Sequence, residues 1–225
     1  MQLVSKFALG LALLAPAVSL AAPKKGKERA PVTLNVHNAC AADLKVSLNG
    51  QAFDVAAGKE SGDTPVPHAD PAKGYGLKLE GAEPHDLGLL GLQDGQAYLL
   101  KLADCRNGGA DVYLENKAEA PAGVSPQAAS QVRFRAREIG HLEYKFGPEG
   151  RYKGLAVGMT SYTEVPSGDL AFNFRLRMAK AGPVLGMFDK TVALKAGRNY
   201  LIESHVAGPN IFFKVEDEGF VGAGK

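Results

Sequence analysis

The sequence predicts an all-β protein made of two tandem, small antiparallel β-sandwich domains of the Ig-like or jelly-roll-like kind. Three observations predict this class. Apolar and polar residues alternate with a period of two, turn-forming pairs punctuate the chain, and the sequence resembles itself at an offset of about 100 residues. Hydrophobic residues make up 45% and charged residues 22% of the 225 residues, which is typical of a packed globular protein and excludes extended disorder.

The alternation is clearest in the second half, where four apolar residues are separated by polar ones. These apolar residues are Phe172, Phe174, Leu176 and Met178. Turn-forming pairs are Asn49-Gly50, Ala57-Gly58, Asp94-Gly95, Ser167-Gly168 and Ala196-Gly197. Short strands between frequent turns are typical of a sandwich. No stretch has a convincing amphipathic helical pattern.

The internal repeat sets the domain boundaries. Residues Val32–Val36 match Val132–Ala136 in alternation, and Gly95–Leu100 match Gly197–Ile202. The chain between the copies is rich in Ala, Pro, Gly and Ser, as linkers are. We therefore expect a signal peptide (1–21), a basic flexible arm (22–31), a first sandwich domain (32–117), a linker (118–130), a second sandwich domain (131–218) and a flexible tail (219–225).

The N-terminus has the pattern of a secretory signal peptide. Lys6 provides the positive charge, Phe7–Ala17 is the apolar run, and Ser19-Leu20-Ala21 is a small-x-small cleavage site. The alternative is a membrane anchor, but the run is shorter than the roughly 20 apolar residues of a spanning helix. The expected location is periplasmic or secreted, with no transmembrane segment after cleavage.

The chain contains two cysteines, Cys40 and Cys105. In an oxidising compartment a lone pair of cysteines usually forms one disulfide. This bond would close a loop of about 66 residues, and both cysteines are missing from the second copy of the repeat. The alternative is a thiol or metal site, although two thiols without CxxC spacing make a weak metal site.

Sequence motifs for catalysis are lacking. We find no G-x-S-x-G elbow, no H-E-x-x-H pair, no phosphate-binding loop and no outstanding carboxylate pair. The expectation is a non-catalytic protein without a cofactor or a metal. The alternative is a metal-dependent enzyme with ligands in two polar loops of the first domain, namely His68, Asp70, His85 and Asp86.

Charge is distributed unevenly between the two copies. Residues 32–117 carry 7 basic and 12 acidic residues, a net charge of 7 − 12 = −5, and residues 131–218 carry 13 and 10, a net charge of +3. The formal charge of the whole chain, +2, gives no indication of nucleic-acid binding. The opposite charges also allow docking between the domains or onto another molecule.

Arginines in the second copy recur at every second position, which places them on one face of each strand. If the strands lie in one sheet, they form a stripe that suits carboxylates or phosphates. The stripe predicts an anionic ligand such as an acidic polysaccharide. The alternative is a solvated outer face whose arginines pair with Glu138 and Glu143. The arginines are Arg133, Arg135, Arg137, Arg175 and Arg177.

The segment Leu87–Leu92 is rich in Leu and Gly. Its composition favours a buried central strand. The alternative is an edge strand available to a partner strand.

Together these features resemble the AlgF family of periplasmic alginate O-acetylation accessory proteins and related tandem β-sandwich envelope proteins. The resemblance covers most of the chain in layout: the export signal, the two copies, the opening strand Val32–Ala39, and the turn-and-strand segments Tyr162–Gly168 and Thr191–Gly197. The cysteine pair and the basic arm depart from that family. The resemblance implies a non-catalytic adaptor in the modification of an exported polysaccharide, and it assigns no functional residue.

We therefore expect an exported accessory or adaptor protein of the cell envelope, acting in the modification or export of an extracellular polysaccharide. Its expected partners are an envelope protein, an acidic polysaccharide or both. The main alternative is a carbohydrate-binding or structural surface-matrix protein that has no dedicated enzyme partner.

Overall fold

A computed structural model describes residues 29–69, 74–80, 85–106, 109–136, 141–155, 157–207 and 210–222 of the protein. The predicted signal peptide lies outside these ranges, as do residues 22–28 of the predicted arm and residues 223–225 of the predicted tail. Within the described ranges the protein is all-β, as the alternation predicts, with seventeen strands and no helix. The described residues accordingly contain no helix long and apolar enough to cross a membrane.

Eight strands form the first half of the chain and nine form the second. The first eight are β1 (Val32–Asn38), β2 (Leu44–Leu48), β3 (Gln51–Val55), β4 (Thr64–Val66), β5 (Tyr75–Glu80), β6 (His85–Leu90), β7 (Ala97–Arg106) and β8 (Gly109–Asn116). The others are β9 (Ser130–Ala136), β10 (His141–Phe146), β11 (Lys153–Leu155), β12 (Gly158–Met159), β13 (Thr163–Val165), β14 (Gly168–Arg177), β15 (Val184–Leu194), β16 (Arg198–Ala207) and β17 (Asn210–Phe220).

These strands form three sheets. The central sheet has nine strands in the order β12-β9-β16-β17-β8-β7-β1-β4, with β13 also paired to β9. The first flanking sheet has the order β3-β2-β5-β6, and the second flanking sheet has the order β11-β10-β14-β15. The central sheet therefore contains strands of both halves, and each flanking sheet contains strands of one half.

The same pairing pattern occurs in both halves. In the first half β1 pairs in parallel with β7 and antiparallel with β4, and β7 pairs antiparallel with β8. In the second half β9 pairs in parallel with β16 and antiparallel with β13, and β16 pairs antiparallel with β17. The edge strand β6 of the first flanking sheet thus corresponds to the edge strand β15 of the second.

The two halves meet where β8 and β17 pair in parallel within the central sheet. Val112 is opposite Lys214, and Tyr113 is opposite Val215. Paired residues in neighbouring strands point to the same face of a sheet. Val112 belongs to the core of the first half, whereas Val215 belongs to the core of the second half. The two hydrophobic cores therefore lie on opposite faces of one continuous sheet.

Each core lies between the central sheet and one flanking sheet. The second core is aromatic: the rings of Phe174 and Phe213 stack with centroids 4.6 Å apart, and Phe134 lies 4.2 Å from Tyr144. All four side chains are buried. Such ring pairs stabilise a core by roughly 0.5–1.5 kcal/mol beyond the burial of their area.

The predicted Cys40–Cys105 disulfide is confirmed, with 5.7 Å between the two Cα atoms. Cys40 follows β1 and Cys105 lies near the end of β7, the parallel neighbour of β1. The bond therefore ties together strands that are distant in sequence. Asn49 and Gly50 form the tight turn between β2 and β3, and both have the positive φ angles (50° and 85°) that this kind of hairpin turn requires.

Two local predictions differ from the structure. The segment Leu87–Leu92 is not a buried central strand, because β6 is the edge of its sheet and Leu89 is 47% exposed. Its apolar composition reflects the burial of Leu87 and Leu90 on one face only. Met178 does not continue the buried face of β14, since the strand ends at Arg177 and Met178 is 71% exposed. At the C-terminus β17 extends to Phe220, whose side chain is buried.

Candidate anionic-ligand surface

The arginines singled out in the sequence lie in two different sheets. Arg133 and Arg135 belong to β9 of the central sheet, whereas Arg175 and Arg177 belong to β14 of the second flanking sheet. In both strands the arginines alternate with residues of the core between the two sheets, so the two pairs point away from that core on opposite sides. Because the two pairs lie in different sheets, the four described arginines do not form the predicted single stripe. Arg137 lies outside the described residues.

The arginines of β9 are largely compensated by carboxylates. The guanidinium of Arg133 donates two hydrogen bonds to Glu218, one of them 2.9 Å long, and lies 4.9 Å from the ring of Tyr162. Burial and a hydrogen bond to Glu218 raise the pKa of Tyr162 to about 12. Arg135 Nη1 lies 3.7 Å from Glu203 Oε2. The described partners of the β9 arginines are therefore Glu218 and Glu203, whereas the alternative named Glu138 and Glu143.

The arginines of β14 have a different arrangement, because both share a single carboxylate. Arg175 Nε and Arg177 Nε both donate to Glu143 Oε2 on the neighbouring strand β10, the latter over 3.0 Å. The hydrogen bond from Arg175 lowers the pKa of Glu143, and the hydrogen bond from Arg177 lowers it to a smaller extent. Two guanidiniums against one carboxylate leave an excess positive charge that remains about one-fifth exposed.

A tyrosine covers part of this charged face. The guanidinium of Arg175 lies 3.7 Å from the centroid of the Tyr152 ring, and Lys145 Nζ lies 5.3 Å from it. The hydroxyl of Tyr152 donates to Asn173 Oδ1, and Asn173 Nδ2 donates to Asp189 Oδ1. The face therefore combines an aromatic ring with cations and with fixed amide and carboxylate groups.

A groove of about 450 Å³ runs beside the arginines and is lined by His141, Glu143, Gly154, Val157 and Lys180, among others. We call the outer surface formed by these groove residues and the neighbouring polar side chains the cationic face. The neighbouring side chains are Lys145, Tyr152, Asn173, Arg175, Arg177 and Asp189. Four cationic and two acidic side chains give this face a net charge of +2 with histidine neutral.

The sequence predicted only three members of the cationic face, namely Arg175, Arg177 and Glu143. Tyr152 and Lys180 lie outside the strands of the sheet, before β11 and in the turn after β14. No periodic pattern marks them, because loop residues reach a sheet face through the path of the chain. Glu143 was predicted as an arginine partner and confirms that interpretation, whereas Glu138 lies outside the described residues.

The alternative metal site is not assembled in the described part of the protein. His68 Nδ1 lies 3.0 Å from Asp94 Oδ1, and its Nε2 lies 3.0 Å from the carbonyl oxygen of Arg29. Asp86 accepts a hydrogen bond from the main chain of Gly88, His85 pairs opposite Leu79 at the sheet edge, and Asp70 lies outside the described ranges. Among the residues described, no group of three or more His, Cys, Asp or Glu is placed to hold a metal ion.

Comparison with known proteins gives little further information. No family model and no curated protein matches the sequence. Among solved structures, the chain is similar to the crystal structure of a candidate cell adhesion protein from Bacteroides ovatus, with 11% sequence identity and a TM-score of 0.27. The match covers 87% of this chain and 99% of that one. At this level the similarity carries no inference about function.

Proposed function

We propose that the protein is a non-catalytic accessory protein of the cell envelope that binds an acidic polysaccharide through the cationic face. In this proposal it acts as an adaptor in the modification or export of that polysaccharide, as the resemblance to the AlgF family implies. The observation that carries the proposal is the pair Arg175 and Arg177, which share one carboxylate beside the Tyr152 ring. The disulfide fits an exported protein, because such bonds persist in oxidising compartments.

The proposed ligand follows from the chemistry of the face. A guanidinium binds a carboxylate through a planar fork of N–H groups, which favours uronate residues over neutral sugars. An aromatic ring offers an apolar surface to the C–H groups of a sugar ring. Asn173 and Asp189 supply fixed acceptors and donors for sugar hydroxyls beside the arginines. We infer further that each half is a sandwich-like domain, joined to the other through the central sheet.

The test is direct binding of oligosaccharides to the purified mature protein. We expect an oligouronate of about eight residues to bind with an affinity that falls as NaCl is raised from 20 to 500 mM, because salt screens the charges. A neutral dextran of the same length should bind at least tenfold more weakly. Isothermal titration calorimetry measures both affinities.

Matched variants separate this face from the opposite one. Arg175→Gln with Arg177→Gln should weaken oligouronate binding roughly 10- to 100-fold, because a hydrogen bond to a charged group contributes about 1.5–3 kcal/mol. Arg133→Gln with Arg135→Gln removes as much charge from the opposite side and should leave binding within about threefold. Circular dichroism confirms that each variant is folded. Equal loss in both double variants, or loss in neither, contradicts the proposal.

A further inference from the structure

One edge of the second flanking sheet lies above the part of the central sheet that is formed by the first half of the chain. Strand β15 ends that sheet, while the central sheet continues below it as β8, β7, β1 and β4. Lys190 of β15 and Lys195, which directly follows β15, form ion pairs with Asp111 and Glu115 of β8. Because the partners follow each other in the same order, β15 runs along β8. Strand β7 lies beside β8 and exposes Lys101 on the same face, so it forms a shelf next to β15.

A cleft of about 490 Å³ lies in the angle between this edge and the shelf. Its floor contains Lys101, Tyr113 and Glu115 from β7 and β8, and its wall contains Thr191 and Ala193 from β15. A strand placed beside β15 at the usual spacing of about 4.8 Å would lie over β7, roughly 10 Å above the central sheet. The cleft thus occupies the place of a fifth strand of the second flanking sheet.

The corresponding edge in the other half is blocked. Strand β6 lies over β17, where Lys214 Nζ donates to the carbonyl oxygen of Leu89 and Gly91 N donates to Glu216 Oε2 over 3.3 Å. Lys214 and Glu216 are buried and form an ion pair of 3.0 Å with each other. Charged side chains of β17 therefore hold the main chain at this edge.

At the β15 edge, the described residues include no side chain that holds the main chain in this way. Within the described residues, no group outside the second flanking sheet forms a hydrogen bond with the main chain of β15. In an antiparallel edge strand, every second residue directs its N–H and C=O away from the sheet. Another polypeptide strand presents N–H and C=O groups at the spacing of this edge, whereas a polysaccharide does not.

We propose that the cleft binds an extended segment of a partner protein, which adds to β15 as a fifth strand. A cleft of about 490 Å³ has room for a short extended segment and not for a folded domain, so the partner contributes a tail or loop. Four carboxylates line the cleft against two amino groups: Asp104, Glu115, Asp169 and Asp217 against Lys101 and Lys195. The segment therefore carries Lys or Arg at alternate positions. This site is separate from the cationic face.

The test uses phage-displayed nonapeptides with lysine at every second position and random residues between, and a matched library with glutamate in place of lysine. We expect enrichment from the lysine library only, with β-branched residues between the lysines. Hydrogen exchange then locates the site: an enriched peptide should slow amide exchange in β15 at least tenfold and leave β6 unchanged. The same peptide N-methylated at alternate residues should bind at least tenfold more weakly.

Variants link the peptide to the cleft. Asp169→Lys, at an exposed position, should weaken peptide binding about tenfold, whereas Arg175→Gln with Arg177→Gln should leave it unchanged. Failure to enrich lysine peptides, unchanged exchange in β15, or equal binding by the N-methylated peptide each overturns the proposal. Because the two variants act at different sites, failure here is distinguishable from failure of polysaccharide binding.

Discussion

Lys190 connects the two halves of the protein, and its removal should destabilise them strongly. Its Nζ lies 3.0 Å from Asp104 Oδ2 and also bonds to Asp111 Oδ2. The side chain of Asp111 is only 1% exposed, and its other oxygen accepts from the main chain of Phe213 over 3.0 Å. Lys190→Met keeps most of the apolar stem but leaves the buried Asp111 carboxylate without its cation.

The expected cost is about 3–5 kcal/mol, the usual cost of leaving one member of a buried ion pair unpaired. For a protein of this size each kcal/mol lowers Tm by roughly 2–4 °C, so Tm should fall by roughly 6–20 °C. Thermal melts followed by near-ultraviolet circular dichroism at pH 8 measure this shift. A second melt at pH 5 tests its electrostatic origin.

The pKa of Asp111 is raised, and burial is the largest cause. The hydrogen bond and the charge of Lys190 lower this pKa, but burial outweighs them. A carboxyl whose folded pKa is raised binds its proton more readily in the folded state, so the folded state gains stability as pH falls towards that pKa. Loss of Lys190 raises the pKa of Asp111 further. The Tm deficit of Lys190→Met should therefore be smaller at pH 5 than at pH 8.

The double variant Lys190→Met with Asp111→Asn is the matched control. Asparagine keeps an oxygen for the main chain of Phe213 and carries no charge, so at least half of the lost stability should return. A deficit below about 1 kcal/mol at pH 8, equal deficits at both pH values, or no recovery in the double variant would refute the reasoning.

Two further predictions concern the disulfide and a close contact in the first half. Replacing Cys40 and Cys105 by Ala should lower the free energy of unfolding by about 4 kcal/mol, because it releases a loop of ~66 residues in the unfolded chain. Urea denaturation measures this change, and a loss below about 1 kcal/mol would contradict the prediction. Gly109→Ala places a Cβ only 2.6 Å from Phe212 Cζ and should lower the free energy of unfolding by about 1–3 kcal/mol. In the control Gly154→Ala the new Cβ has no atom within 4 Å, so the free energy of unfolding should change by no more than about 0.5 kcal/mol. Equal effects of the two glycine variants would show that the Phe212 ring moves away from the new methyl group without a loss of stability.

Local features of the fold follow from the sequence. The alternation of Phe172 and Phe174 with polar residues predicts a strand with one buried face, and both side chains are buried. Asn49-Gly50 predicts a hairpin turn, and β2 and β3 pair on either side of it. These features depend on residues close together in the chain, which a periodic pattern records.

Contacts between sheets do not follow from the sequence in the same way. Lys214 and Glu216 alternate with core residues, so the pattern places them in solvent, yet they are 1% and 4% exposed. They are buried because β6, more than 100 residues earlier, covers the other face of β17. For the same reason the alternation located Arg133 and Arg175 on strand faces but did not show that their strands belong to different sheets.

The parallel pairing of β8 with β17 also has a consequence for the order of folding. Tyr113 and Val215 are opposite each other although about 100 residues separate them in the chain. Synthesis proceeds from the N-terminus, so β8 is complete long before β17 exists. During that interval one side of β8 is an unpaired edge, which is prone to intermolecular association. We therefore expect a chain that is interrupted before β17 to associate through β8, because only the last strand of the protein pairs with that edge.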